Sequence, residues 1–454
     1  MQSPLIQKYN VPGPRYTSYP TVPYWDEDLF QVSDWKKSVK HVFAETNSQF
    51  GISLYIHLPF CESLCTFCGC NKYITLRHEN ETPYLEVILK EWDLYLALFD
   101  EKPMVREIHL GGGTPTFFSP ENLKKLINGI LSKSKVAKGH EFSFEGHPNN
   151  TTKAHLQALY DVGFRRVSFG IQDYDPKVQK AIHRIQPFEN VENVTNWARE
   201  IGYESVGHDL IYGLPFQTLR SIIKTISLTA KLRPDRIAFY SYAHVPWLKG
   251  NGQRGFDDQD IPKDNEKLKL FLAGKSLLTG LGYEEIGMDH FALPEESLSV
   301  ALKNGRLHRN FMGYTTTNTK LLIGLGVSSI GDSWSAFGQN IKTLKDYMAA
   351  VNAGDFPVYR GHLLTDEDLV IRKHILNLMC RFETSWINRE DSIEDIDTIL
   401  DRLQDPIEDG FVNLTHGGIQ ITPQGRPYVR NVCMAFDKRL HNHNMDKPTF
   451  SQTI

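Results

Sequence analysis

The chain has 454 residues, of which 41% are hydrophobic and 23% charged, with a formal net charge of −4. That length suits one large domain with a smaller one, and the balance suits a globular chain with a sizeable core. It excludes a broad nucleic-acid surface, which needs a net basic face; an anionic substrate would have to be held by a local cluster of Arg, Lys or His.

Met1 to Asn10 carries no apolar stretch of the kind a secretory signal needs. No run of about 18 uninterrupted apolar residues exists to span a membrane, so a cytoplasmic protein is expected. Residues 1–50 are rich in Pro, Tyr and polar side chains, and 13–20 reads as an extended arm and not a helix. Apolar, β-branched runs then recur at 52–58, 105–110, 142–145, 166–172, 206–214 and 236–242. Helix-like stretches lie between them at 84–98, 120–131, 153–160, 191–201 and 219–232. This alternation implies parallel β/α units. About six fit, giving an α/β fold: a partial, open (β/α)6-type barrel. Periodicity alone also admits a doubly wound sheet, but polar and Gly-rich residues follow several strands, where a β/α barrel places its active site.

Residues 250–350 are mixed, with a helix expected over 265–281 and a Gly-rich segment at 324–331. From 364 the pattern is mainly helical (365–380, 393–404), and a hairpin over 412–422 turns at Gly417-Gly418. A small, mainly helical C-terminal domain is expected, with a winged helix as one form. The expected division is an N-terminal arm over 1–50 covering the barrel mouth, a catalytic barrel with a substrate-side extension over 51–355, and the C-terminal domain over 356–454.

Six cysteines are present, four of them crowded into Cys61, Cys65, Cys68 and Cys70. A disulfide framework spreads cysteines along a small secreted domain; one tight cluster in a large chain points to an intracellular metal site. The C-x3-C-x2-C spacing of Cys61, Cys65 and Cys68 follows the first strand directly. Three thiolates can hold three irons of a cubane and leave the fourth iron open, as catalytic metal sites keep one position free. An amino acid chelating through its amino and carboxylate groups would suit that position. Zinc is the competing reading, although no second ligand pair follows at knuckle spacing; buried packing thiols are the other.

Gly111-Gly112-Gly113-Thr114 follows the second strand. Without Cβ atoms its backbone can approach a ligand and offer N–H and C=O groups, or simply turn. Glu145 ends the third strand, where a carboxylate could take an ammonium or a ribose hydroxyl, or be a solvated charge. Gln172, Arg184 and Asp209 are, one by one, ordinary structural polar residues. Arg15, Tyr16 and Tyr19 on the arm could be packing, or could close over substrate and bind carboxylates through charge-assisted hydrogen bonds. Cys380 and Cys433 read as buried helix residues.

The cysteine loop resembles the radical S-adenosylmethionine superfamily. Cys68-Gly69-Cys70-Asn71-Lys72 narrows the resemblance to the oxygen-independent coproporphyrinogen III oxidases. It extends over nearly the whole chain, through Gln7-Lys8-Tyr9-Asn10, Asp209-Leu210-Ile211-Tyr212-Gly213-Leu214-Pro215, Gly287-Met288-Asp289-His290-Phe291, His308-Arg309-Asn310-Phe311 and Arg430-Asn431-Val432-Cys433-Met434. The resemblance implies a 4Fe-4S cluster on Cys61, Cys65 and Cys68 and two molecules of S-adenosyl-L-methionine. It puts Tyr55, Gly112, Glu145 and Ile330 against the first molecule. Phe67, Gly113, Thr114, Gln172, Arg184, Asp209 and the backbone of Ala243 fall to the second. Cys70 is not a cluster ligand by this match and stands as a spare thiol or a participant in substrate chemistry. Arg15, Tyr16, His290, His308 and Arg309 are the substrate-side candidates. One departure is visible: the family's Glu-x-Asp-Pro reads Glu145-Gly146-His147-Pro148 here.

The implied activity is anaerobic decarboxylation of two propionates of coproporphyrinogen III to vinyl groups by a 5′-deoxyadenosyl radical, giving protoporphyrinogen IX. A flavodoxin or ferredoxin would donate electrons to a monomeric enzyme, with no nucleic-acid or membrane partner. The alternative is a haem chaperone of the same superfamily, whose members lack the Cys-x-Cys ending and the segments around His290 and His308. A radical methyltransferase or haem-opening relative and a plain zinc protein are the remaining rivals.

Overall fold

The computed structural model describes residues 4–245, 253, 256–442 and 449–453. Six strands appear where the apolar rhythm predicts them: β1 (Ile52–Leu58), β2 (Met104–Gly112), β3 (Lys135–Gly146), β4 (Arg166–Gln172), β5 (Ser205–Tyr212) and β6 (Arg236–Ser241). Helices Glu81–Leu96, Pro120–Leu131, Lys153–Asp161, Phe188–Ile201 and Leu219–Leu232 connect them. Each strand runs parallel to the next in chain order. β1 and β5 are buried along nearly their whole length, as strands covered on both faces must be. Local signals set the helix starts: Ser119 Oγ accepts the Asn122 N–H at 3.2 Å and Pro120 occupies the first helical position.

A doubly wound sheet reverses its strand order at a switch point. β1 to β6 contain no reversal, so right-handed crossovers place all the connecting helices on one side, as in a β/α barrel. The sheet stays open. Beyond β6 it continues through β7 (Glu284–Gly287) and β8 (His290–Ala292), with β8 next to β6. Beyond β1 it continues through β9 (Leu322–Leu325), β10 (Ile330–Asp332), β11 (Ala336–Asn340) and β12 (Val358–Leu363). β9 is parallel to β1, and the outer strands are antiparallel.

Two expected bounds move. β12 lies past residue 355 and pairs with β11, so the main sheet crosses that bound and the helical part begins at Asp366. Its sequence, VYRGHL, is too polar to read as a core strand. Residues 32–50 are not arm: Val32–Phe50 is a helix whose Trp35, Val39, Val42 and Phe43 share one face at helical spacing and enter the main core. The Gly-rich stretch is shaped around that helix, because a Cβ on Gly331 would come within 2.7 Å of the Trp35 ring. Glu91, fully buried, locks the same edge. It accepts from Tyr347 Oη (2.6 Å), Asn340 Nδ2 (2.6 Å) and the Gly326 N–H (2.8 Å), and burial pushes its carboxyl up to about 7. Both carboxyl oxygens are hydrogen-bonded, which is what keeps a buried carboxyl tolerable.

The C-terminal part packs helices Asp366–Arg381 and Val429–Phe436 on a three-stranded sheet of Glu383–Ser385, Gly418–Ile421 and Val412–Thr415. Its core takes in Tyr16 and Tyr19 of the arm, together with buried Cys380 and Cys433. Among the described residues no helix is long and apolar enough to cross a membrane.

Candidate active site

The cysteine loop leaves β1 at its C-terminal end. Phe60–Cys61 forms a short parallel ladder with Tyr73–Ile74, which fixes both ends of the loop. Cys61 and Cys65 are buried, Cys68 is half-buried and Cys70 exposed, and all four line one cleft. The Cys61 Sγ lies 3.3 Å from Thr114 Oγ1, and Arg184 Nη1 approaches Cys65 Sγ at 3.7 Å. Lys72 Nζ donates to the carbonyls of Cys68 and Cys70 at 2.9 and 3.4 Å. A hydrogen bond from Cys70 pulls the Cys68 thiol down to about 6, with Lys72 and Arg184 adding to it, while burial holds Cys61 up at about 11. A single tetrahedral ion needs donors converging on one point. Among the described residues no three His, Cys, Asp or Glu groups do so. A cubane takes each thiolate on a different iron, and the three thiols facing one cleft fit that group.

The glycines at the end of β2 tie down the cysteine loop through their N–H groups. The Gly113 N–H donates to Leu58 O (2.8 Å), the Thr114 N–H to Phe60 O (3.0 Å) and the Gly112 N–H to Glu145 Oε2 (3.3 Å). Those N–H groups, expected to be free for a ligand, hold the cysteine loop and Glu145 instead. Gly112 has φ 112°, and a Cβ there would lie 2.6 Å from the His57 ring. His57 carries no role in the sequence reading, yet its Nδ1 meets Tyr55 Oη at 3.0 Å and its Nε2 the Asn71 carbonyl at 2.8 Å. Its place four residues before Cys61 was the available signal.

β3, β4 and β5 deliver Glu145, Gln172 and Asp209 to the same cleft as Gly112, Gly113, Thr114, Phe67 and Arg184. Tyr55 faces Glu145 across Gly111, where a Cβ would meet both at 3.1 Å. The backbone of Ile330 packs on Gly324, the residue paired with Tyr55. Gln172 sits at φ 67°, an uncommon conformation for a side-chain-bearing residue, beside Arg184, whose Nη2 donates to Gly170 O at 2.7 Å. Asp209 accepts from Ser168 Oγ at 2.8 Å, and burial pushes its carboxyl up to about 7. Phe67 packs against the small apolar cluster that contains Tyr242, the neighbour of Ala243. His147 is held neutral, pulled down to about 2 chiefly by burial, with the Arg184 charge adding.

A second cavity adjoins the first, sharing Glu145 and Asp209, and its wall carries Tyr240 and His290. Arg15 reaches its edge: its guanidinium lies 5.7 Å from the Tyr240 ring and pairs with Asp289, whose other oxygen accepts from His290 Nδ1 at 2.8 Å. Arg309 is buried 4.6 Å from the Tyr314 ring and donates to the arm carbonyls of Arg15 and Tyr16. Tyr16 is buried against Asp437, 3.1 Å away, and His308 opens into a different groove. Of the substrate-side candidates, His290 and Cys70 therefore line the two cavities and Arg15 lines a separate one with Tyr212, Met288, Asp289 and Arg430, whereas Tyr16, Arg309 and His308 line none of these.

Burial alone would raise the Asp289 carboxyl, but Arg15 and the His290 hydrogen bond hold it well below the usual carboxylate range. A depressed folded-state value means stability that is present above the unfolded value near about 4 and is lost as pH falls through the folded one. Asp289→Asn should destabilise the protein by about 3 kcal/mol at neutral pH and shrink the loss of stability in acid; urea titrations at both pH values check this.

The model of the Radical SAM superfamily matches residues 55–229. The chain is 38% identical over 462 residues to the oxygen-independent coproporphyrinogen III oxidase of Synechocystis sp., covering 99% of this chain and 97% of that one. The enzyme of the same description from Helicobacter pylori is 39% identical over 458 residues, with 99% and 98% covered. The solved structure of coproporphyrinogen III oxidase (HemN) from Escherichia coli, a radical SAM enzyme, superposes with a TM-score of 0.88 at 36% identity, covering 96% of this chain and 99% of that one.

Proposed function

The chain belongs to the oxygen-independent coproporphyrinogen III oxidases, and on that premise we propose how its residues share the oxidative decarboxylation of coproporphyrinogen III in haem biosynthesis. The reaction turns two propionates into vinyl groups with loss of carbon dioxide. It is radical chemistry because a propionate β-hydrogen is too weakly acidic for a general base to remove at a useful rate. The haem-chaperone alternative is not favoured, since the full-length relatives are oxidases.

Cys61, Cys65 and Cys68 would hold a 4Fe-4S cluster. When bound, the cluster and S-adenosyl-L-methionine supply the radical that takes the β-hydrogen; the protein contributes binding, orientation and exclusion of side reactions. Tyr55, Gly112, Glu145 and Ile330 are assigned to one molecule of S-adenosyl-L-methionine. Phe67, Gly113, Thr114, Gln172, Arg184, Asp209 and Ala243 are assigned to a second. His290 faces the tetrapyrrole from the adjoining cavity, with Arg15 behind it on the other oxygen of Asp289, and Cys70 stands on the cluster loop. A flavodoxin- or ferredoxin-type donor, a monomeric state and a cytoplasmic location, with no nucleic-acid or membrane partner, complete the reading. In it the arm before Val32 covers the mouth, and the part from Asp366 onward is a C-terminal domain.

The observation that carries this assignment is the shared wall: Glu145 and Asp209 line both the cysteine cleft and the cavity with His290. S-adenosyl-L-methionine held in one would lie beside a substrate held in the other. Anaerobic reconstitution with iron and sulfide, followed by dithionite, S-adenosyl-L-methionine and coproporphyrinogen III, should yield protoporphyrinogen IX and 5′-deoxyadenosine. Stoichiometric haem binding without decarboxylation would instead support the chaperone.

A further inference from the structure

The end of the sheet away from the cysteine cleft carries a groove that the reaction does not use. It lies between the segments around His308 and Lys320 and the helix Asp366–Arg381. Lys320 precedes β9, which starts level with Ser53, whereas the cysteine loop leaves β1 after Leu58. The length of β1 therefore separates the two, about 20 Å at strand rise.

The charge there is one-sided. Arg306, Lys320, Lys373 and Arg381 line the groove and no Asp or Glu does. Lys373 is paired with Asp391, but Arg306, Lys320 and Arg381 make no ion pair among the described residues. The Lys320 ammonium lies 3.4 Å from the centroid of the Trp334 ring, and the Arg372 guanidinium lies 4.3 Å from the same centroid. Asp332, the carboxylate nearest to them, is already engaged by Arg372. Two cations thus share one indole with a single counter-charge, and a further pair of cations stands open beside them. In a chain of net charge −4 that concentration is not the general surface. An arriving anion would relieve like-charge repulsion and meet preplaced donors, while Trp334 offers an apolar wall.

We propose that this groove binds a small polyanion carrying two or more phosphate or carboxylate groups, with Arg306, Lys320 and Arg381 as its cationic contacts. Burial pulls the Lys320 amine down to about 8, Arg372 and Lys373 adding to this and Asp332 opposing it; neighbouring His308 is held neutral by burial, Arg372 and Lys320. An anion in the groove reverses the first effect, so binding at pH 8 draws a proton onto Lys320.

Calorimetric titration of the reconstituted full-length protein with inorganic pyrophosphate and, separately, tricarballylate tests this, with the cluster absorbance monitored to confirm that the holoenzyme stays intact. One-to-one saturable binding of either probe is expected; pyrophosphate alone identifies a phosphate ligand and tricarballylate alone a carboxylate one. Lys320→Gln combined with Arg381→Gln should weaken binding at least about tenfold, and Lys320→Gln alone should abolish proton uptake, seen by repeating the titration in buffers of different ionisation enthalpy. Trp334→Phe should remove any fluorescence change that binding causes. Absence of saturable binding of both probes at millimolar concentration, or an affinity unchanged in the double variant, overturns the proposal.

Discussion

Cys65→Ser should give a folded protein that holds no stable cluster and makes no protoporphyrinogen IX. Cys65 is buried at the floor of the cleft, and Arg184 Nη1 lies 3.7 Å from its sulfur. A serine hydroxyl keeps the size but loses both the soft thiolate ligand and the accessible ionisation that iron requires. The fold should survive, because the loop is held by its backbone ladder with Tyr73–Ile74 and Arg184 keeps its bond to Gly170 O. Turnover should fall at least about a thousandfold, equivalent to about 4 kcal/mol of barrier. Iron content after anaerobic reconstitution and product analysis are the measurements. Cys433→Ser, in the C-terminal core, should keep its iron. Retention of cluster absorbance and turnover by Cys65→Ser would falsify the assignment of the cleft.

Gly113→Ala should nearly match that loss through geometry alone. A Cβ at this position would stand 2.5 Å from both the carbonyl carbon and oxygen of Pro59 and 2.9 Å from Phe60 O. All three are backbone atoms, so no side chain can swing aside; the cysteine loop must move away from β2. That movement breaks the bonds from Gly113 and Thr114 to Leu58 and Phe60 and shifts Cys61 relative to Thr114. Overpacking of this sort costs about 1–3 kcal/mol of stability, and an ångström of misplacement in a reacting array costs about a hundredfold in rate. The expected result is a protein that reconstitutes poorly and loses at least about a hundredfold in kcat/KM for S-adenosyl-L-methionine. Gly69→Ala, in the cysteine loop itself, supplies the contrast: nothing lies within 4 Å of a Cβ there, so activity should hold. Equal behaviour of the two variants would show that the loop position is not set by this contact.

The parts of the fold that matched residue for residue are those whose signals are local. β1 is a seven-residue run in which Ile52, Leu54, Ile56 and Leu58 alternate with Ser53, Tyr55 and His57, and Pro120–Leu131 and Leu219–Leu232 are amphipathic stretches opened by Ser119 and Thr218 caps. Val32–Phe50 was hidden because the prolines and tyrosines that give the first fifty residues their character all precede it, and read as one stretch they mask its helical spacing. β12 was hidden because it is an edge strand in which Tyr359 and Leu363 are exposed while Gly361 and His362 are buried, so apolar and buried positions do not coincide. The hairpin's turn falls on His416-Gly417 and not Gly417-Gly418. Gly418 already pairs with Ser385, where a Cβ would press within 2.4 Å of Thr384 O.

The proposed cluster ligands were open to inspection in the chain itself, since three thiols within eight positions must share a loop wherever that loop is folded. The same holds for the parallel β/α order, which follows from short-range periodicity and the handedness of crossovers. What only the tertiary structure decided is which distant residues meet. Glu145 and Asp209 share two cavities because β3 and β5 flank β4 in register; Arg15 reaches His290 through Asp289 across more than half the chain; His308 and Arg309, adjacent in sequence, point into different surroundings. Spacing along a chain constrains contacts only over a few residues, and beyond that the packing of strands and helices sets the distances.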